Sequence, residues 1–332
     1  MHDSRRLRLI LTVGTPLTYC LTILLSALVG LRLSLDGYGE VLGIALFVSV
    51  SSLLASRFNL HLCRAFVECV GCGLLITIPM TISTYIAMHA NFPLADAQLA
   101  QWDNWLGLDW PNFLMWVDQH PLVATAFSWA YRSFHFQLML LPMILVVLNK
   151  TNRAYQMVIA YGLLCFASAA VSTFWPAVGT YTFYDFDAKT LANVDWFFGY
   201  SFLDQFHAVR DDPAFVWRLN QTQGILTFPS VHAAVALLCA WAMWPVRLLR
   251  YPALALNVAM ATSAVPCANH YAIDVLAGCL IAMISIIIVK YVSAPSAERV
   301  QPFPDSDATF GHNASTSSPA ATSSISISSI SA

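Results

Sequence analysis

A chain of 332 residues that is 58% hydrophobic and only 10% charged departs from soluble globular proteins, in which about a quarter of residues carry charge, and reads as a membrane protein. Its formal net charge of −2 gives no hint of a nucleic-acid partner, none is expected, and the lipid bilayer is the expected surroundings. Most of the eight cysteines lie inside apolar runs, at Cys20, Cys69, Cys72, Cys165, Cys239 and Cys279, where no disulfide framework is expected.

A membrane-spanning helix needs about 20 mainly apolar residues. Eight such stretches follow one another at about 9–31, 39–56, 66–90, 121–148, 154–175, 229–249, 252–268 and 270–292. The first is long and lacks a small-residue cleavage site, so it reads as a retained span and not a signal peptide. Cys69 and Cys72, spaced Cys-x-x-Cys inside the third stretch, read as helix packing. Arg5, Arg6 and Arg8 precede span 1, and Arg57 and Arg64 separate spans 2 and 3. Lys150 and Arg153 separate spans 4 and 5, Arg247 and Arg250 separate spans 6 and 7, and Lys290 closes span 8. With eight spans all these clusters share one side, which the positive-inside rule makes cytoplasmic; Arg32 is the exception on the other side.

The expected fold class is therefore all-α, a polytopic membrane bundle of about eight helices. It divides into N-terminal spans (1–65), a membrane domain (66–292) and a Ser-rich, disordered cytoplasmic tail (293–332). Two outer segments add to it. Residues 94–118 carry Trp102, Trp105, Trp110 and Trp116 among Asp96, Asp103, Asp109 and Asp118. Tryptophan favours the headgroup layer, so this stretch predicts interfacial helices on the outer side. The 176–227 loop is long for a membrane connection, and such loops are often functional.

Chemistry concentrates in two clusters, Phe228-Pro229-Ser230-Val231-His232 and Asn269-His270-Tyr271-Ala272-Ile273-Asp274. Ionisable groups beside hydrocarbon are costly and point to function. From His232 to Arg250 is about 27 Å of helix, one bilayer crossing, and Pro252 to His270 returns a similar distance, so both imidazoles reach the outer face. Pro229-Ser230 opens span 6, where free backbone N–H groups make an anion site to which the Ser230 hydroxyl can add a donor. His270 and Asp274 are four apart, hence on one helix face. A carboxylate so placed accepts one imidazole N–H and leaves the other nitrogen as a nucleophile. An oriented histidine, a second histidine and an anion-binding helix end make a phosphoryl-transfer constellation, in which one imidazole takes the phosphoryl group and the other protonates the leaving oxygen. Two histidines and an aspartate are also metal-ligand types, but no further ligand is grouped with them.

These clusters resemble the second and third signatures of the type 2 phosphatidic acid phosphatase superfamily, Pro-Ser-Gly-His and Ser-Arg-x5-His-x3-Asp. Here Val231 replaces the glycine, and Ser263-Ala264 lacks the arginine. Both departures resemble the branch that includes inositol phosphorylceramide synthase. The run from Gly224 to Ala234 and the segment Leu106-Gly107-Leu108-Asp109-Trp110 look like bacterial members of that branch. The resemblance covers roughly 66–290.

It implies His270 as a nucleophile forming a phosphohistidine, Asp274 as its orienter, His232 as general acid and Ser230 as a phosphate ligand, with no metal and no cofactor. The first signature, Lys-x6-Arg-Pro, has no clean match. Arg210, nineteen positions before Pro229, is the best candidate for a phosphate-binding cation, against a solvated loop arginine; a guanidinium fork suits two phosphate oxygens. Arg132, inside span 4, either reaches the phosphate or neutralises a buried acid such as Asp204.

The expected activity is that of a metal-independent membrane phosphatase or phosphotransferase acting on a lipid phosphate. Its partners would be the membrane lipid substrate and, for transfer, an alcohol acceptor such as inositol. The implied location is a bacterial inner membrane with the site facing outward. A proton-coupled transporter using His232, His270, Asp274 and Arg132 as a relay is the alternative, but it would require an internal repeat, and none is visible. A non-catalytic lipid-binding relative is the third reading, opposed by the occupied catalytic positions.

Overall fold

Long, mainly apolar runs satisfy their backbone within the segment as helices, and helices account for nearly all regular structure in the computed structural model, which describes residues 2–294. Of the expected Ser-rich tail (293–332), Ser293 closes the last helix, and 295–332 lie outside the described residues. The helices are α1 (His2–Val29), α2 (Tyr38–Arg57), α3 (His61–His89), α4 (Asp96–Trp105), α5 (Trp110–Asp118), α6 (Pro121–Val147) and α7 (Thr151–Phe174). Then follow three short ones, α8 (Thr180–Phe183), α9 (Phe197–Tyr200) and α10 (Leu203–Asp211), and finally α11 (Val231–Met243), α12 (Arg250–Cys267) and α13 (Ala272–Ser293). Two short strands, β1 (Arg32–Leu33) and β2 (Val216–Trp217), pair in parallel and tie the α1–α2 connection to the long 176–227 segment.

Six helices, α1, α2, α3, α6, α7 and α13, are long and apolar enough to cross a membrane. The chain is thus an integral membrane protein. The sixth and seventh expected spans form helices that fall short of that class. Pro245 has no N–H with which to continue the helical ladder, and α11 stops at Met243, Trp244 keeping helical angles as its C-cap. Its 13 residues give about 20 Å, against about 30 Å of hydrocarbon. α12 reaches 18 residues but opens on Arg250 and carries Asn257, Thr262 and Ser263.

α3 and α7 form the spine, with α1 and α2 packed on α3, and α11 set among α7, α12, α13 and α6. A buried carboxylate joins part of this spine: Glu68 of α3 accepts from Ser52 Oγ of α2 and Tyr155 Oη of α7, both at 2.5 Å. Cys69 and Cys72 lie buried in the same helix among core residues. At the end of the bundle that carries the 176–227 segment, here the loop end, α4 and α5 lie beside α13 and α12. Trp110 does not face a headgroup layer. It is buried, its indole donating to the Val265 carbonyl at 3.2 Å and stacking on Tyr184. Trp105 and Trp116 remain exposed.

Candidate active site

α12 and α13 are joined by four residues, and His270 sits among them. Asn269 adopts a left-handed backbone, φ 69°, which asparagine tolerates better than most residues. Its buried side chain donates to the Val178 carbonyl at 2.6 Å and accepts from the Tyr181 amide at 2.5 Å. Gly179 must be glycine there twice over: its φ is +89°, and a Cβ would lie 2.3 Å from the Asn269 amide nitrogen. The connector is thereby locked to the 176–181 stretch.

Asp274 stands at the third position of α13, with its Oδ2 accepting from the Tyr271 backbone N–H at 3.0 Å and lying 3.1 Å from His270 Nδ1. The pair predicted from spacing therefore forms, but His270 precedes the helix. What aligns the two is the helix-capping turn, not a shared helix face. Donation from Nδ1–H to the carboxylate leaves Nε2 of His270 with a free lone pair.

Ser230 is the N-cap of α11. Its hydroxyl accepts from the Ala233 amide at 3.3 Å, and its own amide donates to the Asp274 carbonyl at 3.0 Å. Gly278 of α13 lets the strands of this knot close, since a Cβ there would come within 2.2 Å of the Ser230 carbonyl. The start of α11 is so pressed against the first turns of α13, and His232, two residues on, arrives beside His270. The His232 ring stacks on Tyr131, with centroids 4.1 Å apart and planes at 15°, and tilts against Phe134 at 4.3 Å.

Both histidines line a single cavity of about 840 Å³, together with Tyr131, Arg132 and His135, a volume usual for small-molecule sites. The rest of its wall is largely apolar, with Val70, Leu74, Leu138, Met139, Met157 and Val158 among the side chains. Lining residues run along α3 from Cys69 to Thr84, about 22 Å at 1.5 Å per residue. The cavity is polar at the histidine end and greasy along most of its length. Among the described residues, no group of three or more His, Cys, Asp or Glu is arranged to hold a metal ion.

The candidate phosphate ligands separate. Arg132 lines the cavity, is half exposed, and pairs with Asp195, not with Asp204. Its guanidinium also lies 5.9 Å from the Phe198 ring centroid. Arg210 is not among the lining residues: it donates to the Phe92 carbonyl at 2.9 Å and lies over Phe206, fastening α10 to the segment after α3. Ser230 is fully buried behind the cavity wall, and its hydroxyl is engaged in the helix cap. The free N–H groups of the first turn are thus partly consumed by Ser230 itself, and Pro229 precedes the cap without entering the helix.

Three aspartates of the Trp-rich segment prove to be scaffolding for this site. Asp103 accepts from the Ala272 and Ile273 amides, both at 2.8 Å, which holds the first turn of α13. Asp96 accepts from the Val178 and Gly179 amides and from Tyr271 Oη at 3.0 Å. Burial pushes the carboxyls of Asp96 and Asp103 up from their ordinary value, with these hydrogen bonds pulling the other way. Asp118 accepts from the Ala192, Asn193 and Val194 amides; burial acts upward, but the three amides together hold its carboxyl below the usual range. Sequence reasoning recorded these acids without their role, because their partners lie 74 to 175 positions away. Tyr131 and Phe134 were missed likewise, although two aromatics one turn apart beside a lone arginine in an apolar helix were a usable signal.

A family model described as the PAP2 superfamily matches residues 97–288, from α4 into α13. The match is more than half of the chain, and it starts after α3, later than the resemblance read from the motifs. No curated protein and no solved structure matches the chain.

Proposed function

The chain belongs to the PAP2 superfamily, and from that premise we propose that it is a membrane phosphatase or phosphotransferase that acts on a lipid phosphate through a phosphohistidine. The observation that carries this reading is one cavity holding His232 and His270 at one end, Asp274 directly behind His270, and hydrocarbon-lined walls beyond.

In this mechanism His270 Nε2 attacks phosphorus while the bond to the leaving oxygen breaks, and His232 Nε2–H gives its proton to that oxygen. Asp274 holds the proton on Nδ1 and balances the charge that develops on the ring. In the second half-reaction the acceptor hydroxyl loses its proton to His232 Nε2, its oxygen attacks phosphorus, and the bond to His270 breaks. Water as acceptor gives a phosphatase and an alcohol gives a phosphotransferase. The resemblance to the inositol phosphorylceramide synthase branch favours an alcohol such as inositol. Arg132 is the cation best placed to hold the phosphate, since it lines the cavity and Arg210 does not. The apolar walls suit a substrate whose hydrocarbon chain stays in the bilayer. Basic residues gather at the opposite end of the bundle from the site, which supports an extracytoplasmic active site; the resemblance to bacterial members of the branch favours a bacterial inner membrane.

Purified protein should release phosphate from phosphatidic acid or an isoprenyl phosphate in mixed micelles with EDTA present. His270→Ala should abolish turnover. Wild-type rates in that variant would remove the nucleophile assignment, and complete loss of wild-type activity in EDTA would remove the metal-free mechanism. Repeating the assay with inositol present separates hydrolysis from transfer.

A further inference from the structure

The cavity that holds both histidines has two unlike compartments. α6 leaves the loop end of the bundle, whereas α3 and α7 run toward it, so chain direction orders the lining residues by depth. On the loop side the wall is polar, with Thr84, Ser201, Thr222 and Gln223. On the far side it is made by Val70 and Gly73 of α3, Leu138 and Pro142 of α6, and Met157 and Val158 of α7. His232 stands against Phe134 of α6. Leu138 and Pro142 follow Phe134 by one and two helical turns, which gives the apolar compartment a depth of about 12 Å beyond the imidazole. Leu145, Val146 and Ala154 are buried in the core and stand outside the cavity wall, which closes the far end. Leu74 and Met139 line the same cavity but are half exposed on the outside of the bundle, so the compartment opens sideways to the bilayer between α3 and α6.

We infer that this compartment holds one hydrocarbon chain of the substrate over about its first ten carbons, and that Gly73 determines which chains fit. An extended chain advances about 1.2 Å per bond, so about ten bonds fill a depth of about 12 Å. The inference rests on the proposed reading of His232 as proton donor to the leaving oxygen: the chain is attached to that oxygen and therefore starts beside His232. Hydroxyl and amide side chains on the loop side offer it little apolar contact, whereas the far side offers nothing else. The opening between Leu74 and Met139 lets the chain slide in from the membrane without crossing water, and returns carbons beyond the tenth to lipid. Gly73 stands about 16 Å along α3 from Thr84. A Cβ built on it would meet Val158 Cγ1 at 3.7 Å, an ordinary contact, and nothing nearer. The space in front of the glycine is thus open and lies in the path of the chain. A longer side chain at position 73 would lie across that path toward α7.

Gly73→Leu should shorten the compartment and leave the chemistry alone. The measurement is kcat/KM for n-alkyl phosphates from ethyl to decyl, with wild type and variant in the same detergent so that micelle partitioning cancels in their ratio. A leucine side chain displaces about three methylenes, and each methylene kept from apolar contact costs up to about fourfold. Decyl phosphate should therefore lose at least about tenfold, while ethyl phosphate, too short to reach position 73, keeps its wild-type value. Unchanged decyl turnover, or a partial loss equal at all lengths, overturns the inference. A second arm uses the wild type and needs no turnover. Decylphosphonate carrying a diazirine on its last carbon, photolysed on the solubilised protein, should label the 138–142 and 157–158 stretches, and excess plain decylphosphonate should suppress that label. Label elsewhere, or label that the excess ligand leaves unchanged, sinks the assignment. This arm decides alone if Gly73→Leu is inactive on every ester. If the wild type turns over no phosphate ester, the proposed function fails, and the photolabel still decides what the compartment holds.

Discussion

His232 and His270 differ in what stands behind them, and the proposed division of their work follows that difference. His270 backs onto a buried carboxylate at 3.1 Å, while His232 is sandwiched by aromatic rings. A proton donor matters in proportion to the basicity of the group that leaves. His232→Gln should therefore lower kcat about 10²–10⁴-fold on an alkyl or lipid phosphate and much less on p-nitrophenyl phosphate, as read from parallel steady-state assays. Equal losses on both substrates would assign His232 to phosphate binding. Both histidines and Asp274 were legible in the sequence, because each lies in a short run whose residues act on their own neighbours. The clamp was not legible. Arg210, the first candidate from the chain, is turned to Phe92, whereas Arg132, the second, lines the cavity, and packing alone separates the two.

At the level of elements, the site depends on how loops are tied to helix ends. Asp118, at the end of α5, gathers the backbone amides of residues 192–194 and so sets the approach of Asp195 to Arg132. Asp118→Asn should cost about 1–3 kcal/mol of stability, the usual penalty for leaving such donors short of a charged acceptor. The pH dependence follows from the depressed carboxyl. The contribution is fully present above the ordinary aspartate value and is lost as pH falls through the lower folded value. Thermal unfolding of the detergent-solubilised protein across pH should show the gap between wild type and variant close in acid; a constant gap would mean that Asp118 acts by packing alone. Helix positions were legible from apolar periodicity and length. The end of α11 was legible too, had Pro245 been weighed above hydropathy. The role of α4 and α5 was hidden, because tryptophan beside aspartate describes an interfacial helix and a buried brace equally well until Trp110 is seen against Val265.

Across the whole molecule, α3, α6 and α7, the start of α11 and the α12–α13 connector line a chamber whose polar end lies under the loop layer. If the basic clusters set orientation as proposed, a cysteine introduced at exposed Asp187 should react with a membrane-impermeant maleimide in intact cells, and labelling only after permeabilisation would invert the topology. The loop layer itself is held in an uncommon way. Asp96, Asp103 and Asp118 take backbone amides as partners, with no lysine or arginine among those bonds. Ion pairs between exposed side chains weaken as dissolved salt shortens the screening distance to about 8 Å at physiological ionic strength. A carboxylate closed over amide dipoles presents much less for ions to screen. Those three ties are thereby insulated from swings in salinity, unlike the Arg132–Asp195 and Arg218–Asp36 pairs of the same layer, and acid loosens the tie at Asp118, whose carboxyl is the one of the three held low.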